Sequence, residues 1–267
     1  MKNFVLQPLS LNELTQIFDK TAIKVIDFYI RRSLFAQPEI MPNQLPLPIH
    51  VPKEHIEQWV VQAIGASPVG AGSYPVDVIK PGEFGADVKM LSCKTTKNGE
   101  LSVSESGETS LAQKFKDTGS GLDQLFSNQQ YTDIVEGWTK ILKNKLETVI
   151  EKDSVNNIYY LFILRADTKF YLCGLKVNVK LLDHISVLRT TKESVFLDNF
   201  IDGIYGNVKI YKAKKRLELR LRPKQWVDDQ LVIPFHIPRN VLPVKMRELI
   251  LTDEFNKYKE NIIINIF

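Results

Sequence analysis

Between Ser10 and Phe35 the apolar residues Leu14, Ile17, Phe18, Ile23, Ile26 and Ile30 recur near the 3.6-residue period of a helix with one buried face. Ser10 and Glu13 have the spacing of a capping box, so one long helix, or two, is expected to open here. Pro38, Pro42, Pro46, Pro48 and Pro52 then exclude regular helix and predict an extended strap from Gln37 to Pro52. Helical spacing returns in Pro52 to Ile64, where Ile56, Trp59, Val60 and Ala63 share a face. From Tyr74 the period shortens. Pro75 to Ile79 and Ala86 to Cys93 are short apolar runs on either side of Pro81, Gly82 and Gly85, the pattern of a β-hairpin.

Further along, Lys94 to Asn128 is rich in Ser, Thr, Gly and Lys, and is expected to be mostly loop. Asp133 to Glu151 reads as an amphipathic helix, and Asn157 to Leu164 and Lys169 to Val179 as strands joined through an Arg-Ala-Asp-Thr turn. Val208 to Leu221 and Gln230 to Ile237 read as further strands, and Arg247 to Asn261 as a helical region before an apolar tail. Helices and strands mixed in this way predict an α/β fold with a mixed central β-sheet flanked by α-helices. The expectation is one elaborated domain over residues 1–267, with a helical part and strap in 1–52 and the core in 53–267.

The hairpin also carries charge. In a strand, residues two apart project to one side, so Asp87 and Lys89 share a face while Val88 and Met90 share the other. Asp77, on the neighbouring strand, can approach them across the pair. Two carboxylates supply hard oxygen ligands of the kind magnesium prefers, and an amine beside them can orient an attacking water. A tripeptide of this kind by itself is the mark of a solvated surface hairpin, and the surrounding segments must carry any further reading. Glu57, or Glu54, on the preceding helix can supply a third carboxylate, with Glu83 in the turn as its rival.

A helix with a glutamate, then Pro75-Val76-Asp77, then Asp87-Val88-Lys89 in the next strand, resembles the PD-(D/E)XK nuclease superfamily, restriction endonucleases above all. The resemblance spans Pro52 to Lys94 and implies a restriction-endonuclease-like core. It implies Asp77 and Asp87 as Mg2+ ligands, Lys89 beside the water, and Glu57 completing the catalytic set. The chain departs from the family pattern in two ways: a valine separates the proline from the first acid, and the interval to Asp87 is short. A second register, with Asp87 as first acid and Ser92-Cys93-Lys94 as the tripeptide, would put serine at a ligand position. The activity implied is sequence-specific hydrolysis of double-stranded DNA by a homodimer. A repair or junction-resolving nuclease and a noncatalytic DNA-binding protein are the alternatives.

Charge elsewhere bears on that expectation. Lys209 to Lys224 holds eight basic residues and one acid, Glu218, and Leu217, Leu219 and Leu221 alternate with Arg216, Glu218, Arg220 and Arg222. A strand with one buried and one basic face follows, with Lys214, Arg216, Arg220, Arg222 and Lys224 available to phosphates. In the polar stretch, Lys94, Thr95, Thr96, Lys97, Ser110, Gln113 and Lys114 are suitable hydrogen-bond partners for DNA. The net charge of +4 permits a polyanionic partner without demanding one. His50, His55, His184 and His236 lack metal-ligand spacing, and Cys93 and Cys173 fall in apolar runs, which argues against zinc sites and disulfides. No apolar run reaches membrane-spanning length and the N-terminus has no signal-peptide pattern, so a cytoplasmic protein is expected.

Overall fold

The computed structural model describes residues 3–34, 42–44, 51–52, 55–69, 74–113, 121–236 and 246–252. Strand β1 (Leu6–Pro8) leads into helices α1 (Leu11–Ile17) and α2 (Lys20–Leu34). Two helices therefore stand where one or two were expected. The capping box opens α1: Ser10 N and Ser10 Oγ donate to Glu13 Oε2 at 2.8 and 2.7 Å, and Glu13 N donates back to Ser10 Oγ. Most of the proline strap lies outside the described residues. After it come α3 (Ile56–Ile64), β2 (Ser67–Pro68), β3 (Val78–Lys80) and β4 (Phe84–Ser92).

The β3–β4 turn is built by its two special residues. Pro81 presets the first turn position, Gly82 takes the left-handed φ of 74° that a side chain would resist, and Glu83 N donates to Lys80 O at 3.0 Å. Beyond β4 the chain forms β5 (Ser106–Gln113), α4 (Leu122–Ser127), the long α5 (Tyr131–Asp153), β6 (Asn157–Ala166) and β7 (Lys169–Val177). A 3₁₀ turn at Val179–His184 precedes β8 (Ser186–Thr191), β9 (Ser194–Asp198), β10 (Gly206–Tyr211) and β11 (Arg216–Leu221). Helix α6 (Pro223–Asp228), β12 (Ile233–His236) and α7 (Met246–Leu251) complete the described chain.

Two sheets result. The central one runs β1-β7-β6-β4-β3-β2, with β12 also on β7, and is mixed: β4 and β6 are parallel and its other pairs antiparallel. Strand β6 is apolar almost throughout because both its faces are covered. On one face α1, α2 and α3 bury Leu14, Phe18, Ile26, Ile30, Ile56, Trp59 and Val60 against Val78, Ala86, Val88, Met90 and Ile163. On the other, α5 buries Trp138, Leu142, Leu146 and Val149 with Tyr160, Phe162 and Leu164, and with the inner side chains of a second sheet. That sheet is antiparallel, ordered β5-β11-β10-β9-β8.

The second sheet corrects the expectation that Lys94 to Asn128 is mostly loop. Residues 106–113 form β5, paired with β11, and residues 122–127 form α4. Gly107 marks where this sheet meets the first. Its φ is +71° and a Cβ there would stand 3.3 Å from Leu91, so β5 rests on β4 with no side chain between. The strand predicted as one run over 208–221 is a hairpin, β10 and β11, turned through residues 212–215.

Candidate active site

Register brings the charged residues together. Val78 pairs with Ala86, and one step further Asp77 N donates to Ala86 O at 2.9 Å, so Asp77 lies across from Asp87. Strand β3 begins only at Val78, and the Asp77 side chain takes over the ladder's role at this point. Its Oδ2 accepts the Val88 N–H at 2.8 Å, which fixes the carboxylate against β4. Asp87 and Lys89 project from the face that carries α5, while Val88 and Met90 enter the core under α3. Tyr160 and Phe162, their register partners on β6, are buried and wall the site on that side.

Lys89 Nζ is the meeting point. It donates to Asp87 Oδ1 at 2.7 Å, to Asp77 Oδ2 at 3.0 Å and to Val88 O at 3.1 Å, and Glu57 Oε1 stands 4.0 Å away. The helix bearing Glu57 packs on the opposite face of the sheet through Ile56, Trp59 and Val60, and Glu57 reaches the cluster from the helix's first turn. Glu83, the rival third acid, is at the hairpin tip, ion-paired to Lys80 at 3.3 Å. It precedes Asp87 by four residues, about 13 Å along an extended strand. The geometry therefore joins Glu57 to the cluster and leaves Glu83 apart. Glu54 lies outside the described residues.

Burial grades the electrostatics. Asp87, with 14% of its side chain exposed, is pushed up to about 8 by burial first, with Asp77 adding to the rise and Lys89 opposing it. Burial alone would lower Lys89, but the carboxylates of Asp87 and Asp77 overcome it and hold the ammonium above its ordinary range. Glu57, half exposed, is raised by partial burial and then by Asp77. Tyr160 is raised by burial and by Asp87. The cluster thus keeps a firmly charged lysine beside a carboxyl whose charge is conditional.

One cationic nitrogen within 3.0 Å of both Asp77 Oδ2 and Asp87 Oδ1 means that a single point is already within reach of two hard oxygen donors. That donor set fits magnesium, which binds through one or two carboxylates and fills its remaining positions with water and phosphate. Among the described residues no group of three or more His, Cys, Asp and Glu could by itself hold a metal ion.

The residues expected to contact DNA are dispersed. Lys94, Thr95, Thr96 and Lys97 are exposed in the segment after β4, where Thr96 N donates to Glu100 O at 2.7 Å in a small closed turn. Ser110 is half-buried in β5 with its hydroxyl on Ala112 O, Gln113 ends β5 opposite Arg216, and Lys114 lies outside the described residues. Arg222 pairs with Glu105 at 3.3 Å and Lys224 with Asp228 at 2.7 Å. Lys214, Arg216 and Arg220 gather on the second sheet, where the residue read as exposed between the two arginines, Glu218, is fully buried beneath them. Sequence reading missed Glu108, whose partners Lys214, Arg216 and Arg220 are more than a hundred residues away. It also missed the Tyr74 hydroxyl on Asp153, which ties the approach to the hairpin to the end of α5.

Comparison of the chain with protein-family models, curated proteins and solved structures finds no match. Among the described residues no helix is long and apolar enough to cross a membrane.

Proposed function

We propose that this chain is a magnesium-dependent endonuclease acting on double-stranded DNA, with a restriction-endonuclease-like core and type II restriction-enzyme-like sequence specificity, working as a cytoplasmic homodimer. The observation that carries the reading is the convergence of Asp77 and Asp87 on Lys89, with Glu57 at the rim. A glutamate-bearing helix, an acid at the start of one strand and D-x-K in the next are the order and placement on which the resemblance rests.

Asp77 and Asp87 would hold the Mg2+, which supplies charge stabilisation at phosphate and an acidified water. Lys89, whose ammonium fills the point between Asp77 Oδ2 and Asp87 Oδ1 in this structure, would give up that point to Mg2+ and would then orient an attacking water from beside it. Tyr160 and Phe162 exclude bulk water from the β6 side. Two-fold pairing of two such chains would bring one site to each strand of a duplex.

The test is incubation of the purified protein with plasmid and genomic DNA, in Mg2+ or EDTA, beside Asp87→Ala and Lys89→Ala. Discrete magnesium-dependent fragments are expected, with Lys89→Ala slower by about 10²-fold or more, the scale of losing the group that positions a reactant. Absence of cleavage across varied DNA substrates, or undiminished cutting by both variants, would overturn the reading.

A further inference from the structure

The outer face of the second sheet presents a cross-strand row that the sequence does not announce. Register aligns Arg189, Phe196, Lys209, Glu218 and Ser110, one residue from each of β8, β9, β10, β11 and β5. The alternate residues Val195, Leu197, Val208, Ile210, Leu217 and Leu219 are buried, so this row faces away from the core. Flanking it are Tyr211 paired with Arg216, and Asn207 paired with Arg220, which in turn meets Glu108.

Side chains on this face are held rigidly. Glu218 has no exposed surface and accepts from Arg216 at 2.8 Å and from Arg220 at 2.6 Å, with Lys209 at 3.6 Å. Arg220 also donates to Glu108 at 2.8 Å, and Lys214 meets the same carboxylate at 2.5 Å. The Arg189 guanidinium lies 3.5 Å from the Phe196 ring centroid, and Lys209 lies 4.7 Å from that of Tyr211.

Five cations, Arg189, Lys209, Lys214, Arg216 and Arg220, thus face two carboxylates, Glu108 and Glu218, with Asp198 further along β9 at one end. Among the described residues Arg189 has no carboxylate partner. Lys209, only 11% exposed, is held below the ordinary lysine range first by burial and then by Arg220, in spite of Glu218.

We propose that this five-stranded face docks the phosphate backbone of duplex DNA, with the exposed Arg189 and Lys214 contacting phosphates and Glu218 as the positioning residue that holds Arg216 and Arg220. The proposal rests on the nuclease reading for its choice of partner. Strands at the usual spacing make the row about 19 Å wide, enough to face both walls of a major groove about 12 Å across. Guanidiniums splayed on a rigid carboxylate match phosphate oxygens without an ordering cost at binding. The face is also joined to the candidate active site: β5 sits on Leu91 through Gly107, and Leu91 follows Lys89 by two residues on the same side of β4.

The test measures binding of fluorescent duplexes of several sequences by anisotropy in EDTA, so that no cleavage intervenes, over a series of salt concentrations. It compares wild type with Arg189→Ala/Lys214→Ala, both exposed positions, whose folding is checked by thermal melting. The double variant should bind every duplex about tenfold more weakly, with a log–log salt slope lower by about two. Glu218→Gln, if folded, should weaken binding even though it removes a negative charge from the face, and an Arg189→Lys/Lys214→Arg exchange should restore the slope.

An unchanged affinity and slope in the double variant overturns the proposal, and equal affinity for a single strand of the same length overturns the assignment to duplex. The two readings separate cleanly. If wild type cuts DNA and the double variant binds and cuts equally well, only the docking face falls. If duplex binds through this face and no substrate is cut, only the nuclease reading falls.

Discussion

At the scale of single residues, Asp87 decides how the site responds to pH. Its folded-state value near 8 exceeds the ordinary carboxylate value, so the folded protein binds this proton more tightly than the unfolded chain does. The stability it contributes is fully present below about pH 4 and is lost as pH rises toward 8. Glu57 shifts in the same direction, whereas the lowered carboxylates Glu13 and Glu218 act only near or below their ordinary range. In magnesium-free buffer the melting temperature should therefore fall between pH 5.5 and 8, and Asp87→Asn should remove most of that fall. An unchanged slope in the variant would show that Asp87 is not the group responsible. Because a carboxylate must lose its proton to bind a metal, added Mg2+ should raise the melting temperature more at pH 8 than at pH 5.5. Equal shifts at the two pH values would count against Asp87 as a ligand.

At the scale of elements, the join between β4 and β5 and the packing of α5 support the site. Ala at 107 would require a left-handed φ and would press on Leu91, so Gly107→Ala should destabilise by about 1–3 kcal/mol in urea unfolding. Leu146, buried on α5 beneath both sheets, should cost about 2–5 kcal/mol on truncation to Ala. A cost near zero at either position would mean that the neighbouring elements close up without it. The contrast between α5 and β5 explains which elements could be read in advance. Helix α5 carries its whole apolar stripe within one continuous segment, so Asp133 to Glu151 announces it. The β5 segment, SGETSLAQ, is mostly polar because Glu108 belongs to a charged outer face, and its partner β11 begins more than a hundred residues away. Local composition then looks like loop, and only cross-strand pairing reveals a strand.

At the scale of the whole molecule, the proposed two-fold assembly predicts a dimer by sedimentation equilibrium at micromolar concentration; a monomer both alone and bound to DNA would remove that part of the reading. Within the chain, two kinds of information separate. The sequence by itself determined what short-range periodicity encodes: the Ser10 capping box, the helical faces of α1 to α3 and α5, the Pro81-Gly82 turn, and the shared face of Asp87 and Lys89. Each depends on residues a few positions apart, where backbone geometry leaves little freedom. Tertiary structure alone decided that Glu57 and not Glu83 reaches Lys89, since a helix on the far side of the sheet delivers it. It alone buried Glu218 under Arg216 and Arg220, brought Glu108 across from β5, and lined up Arg189, Phe196 and Lys209. Those contacts join strands distant in sequence, and pairing energies that depend on distant partners leave no periodic trace in either strand alone.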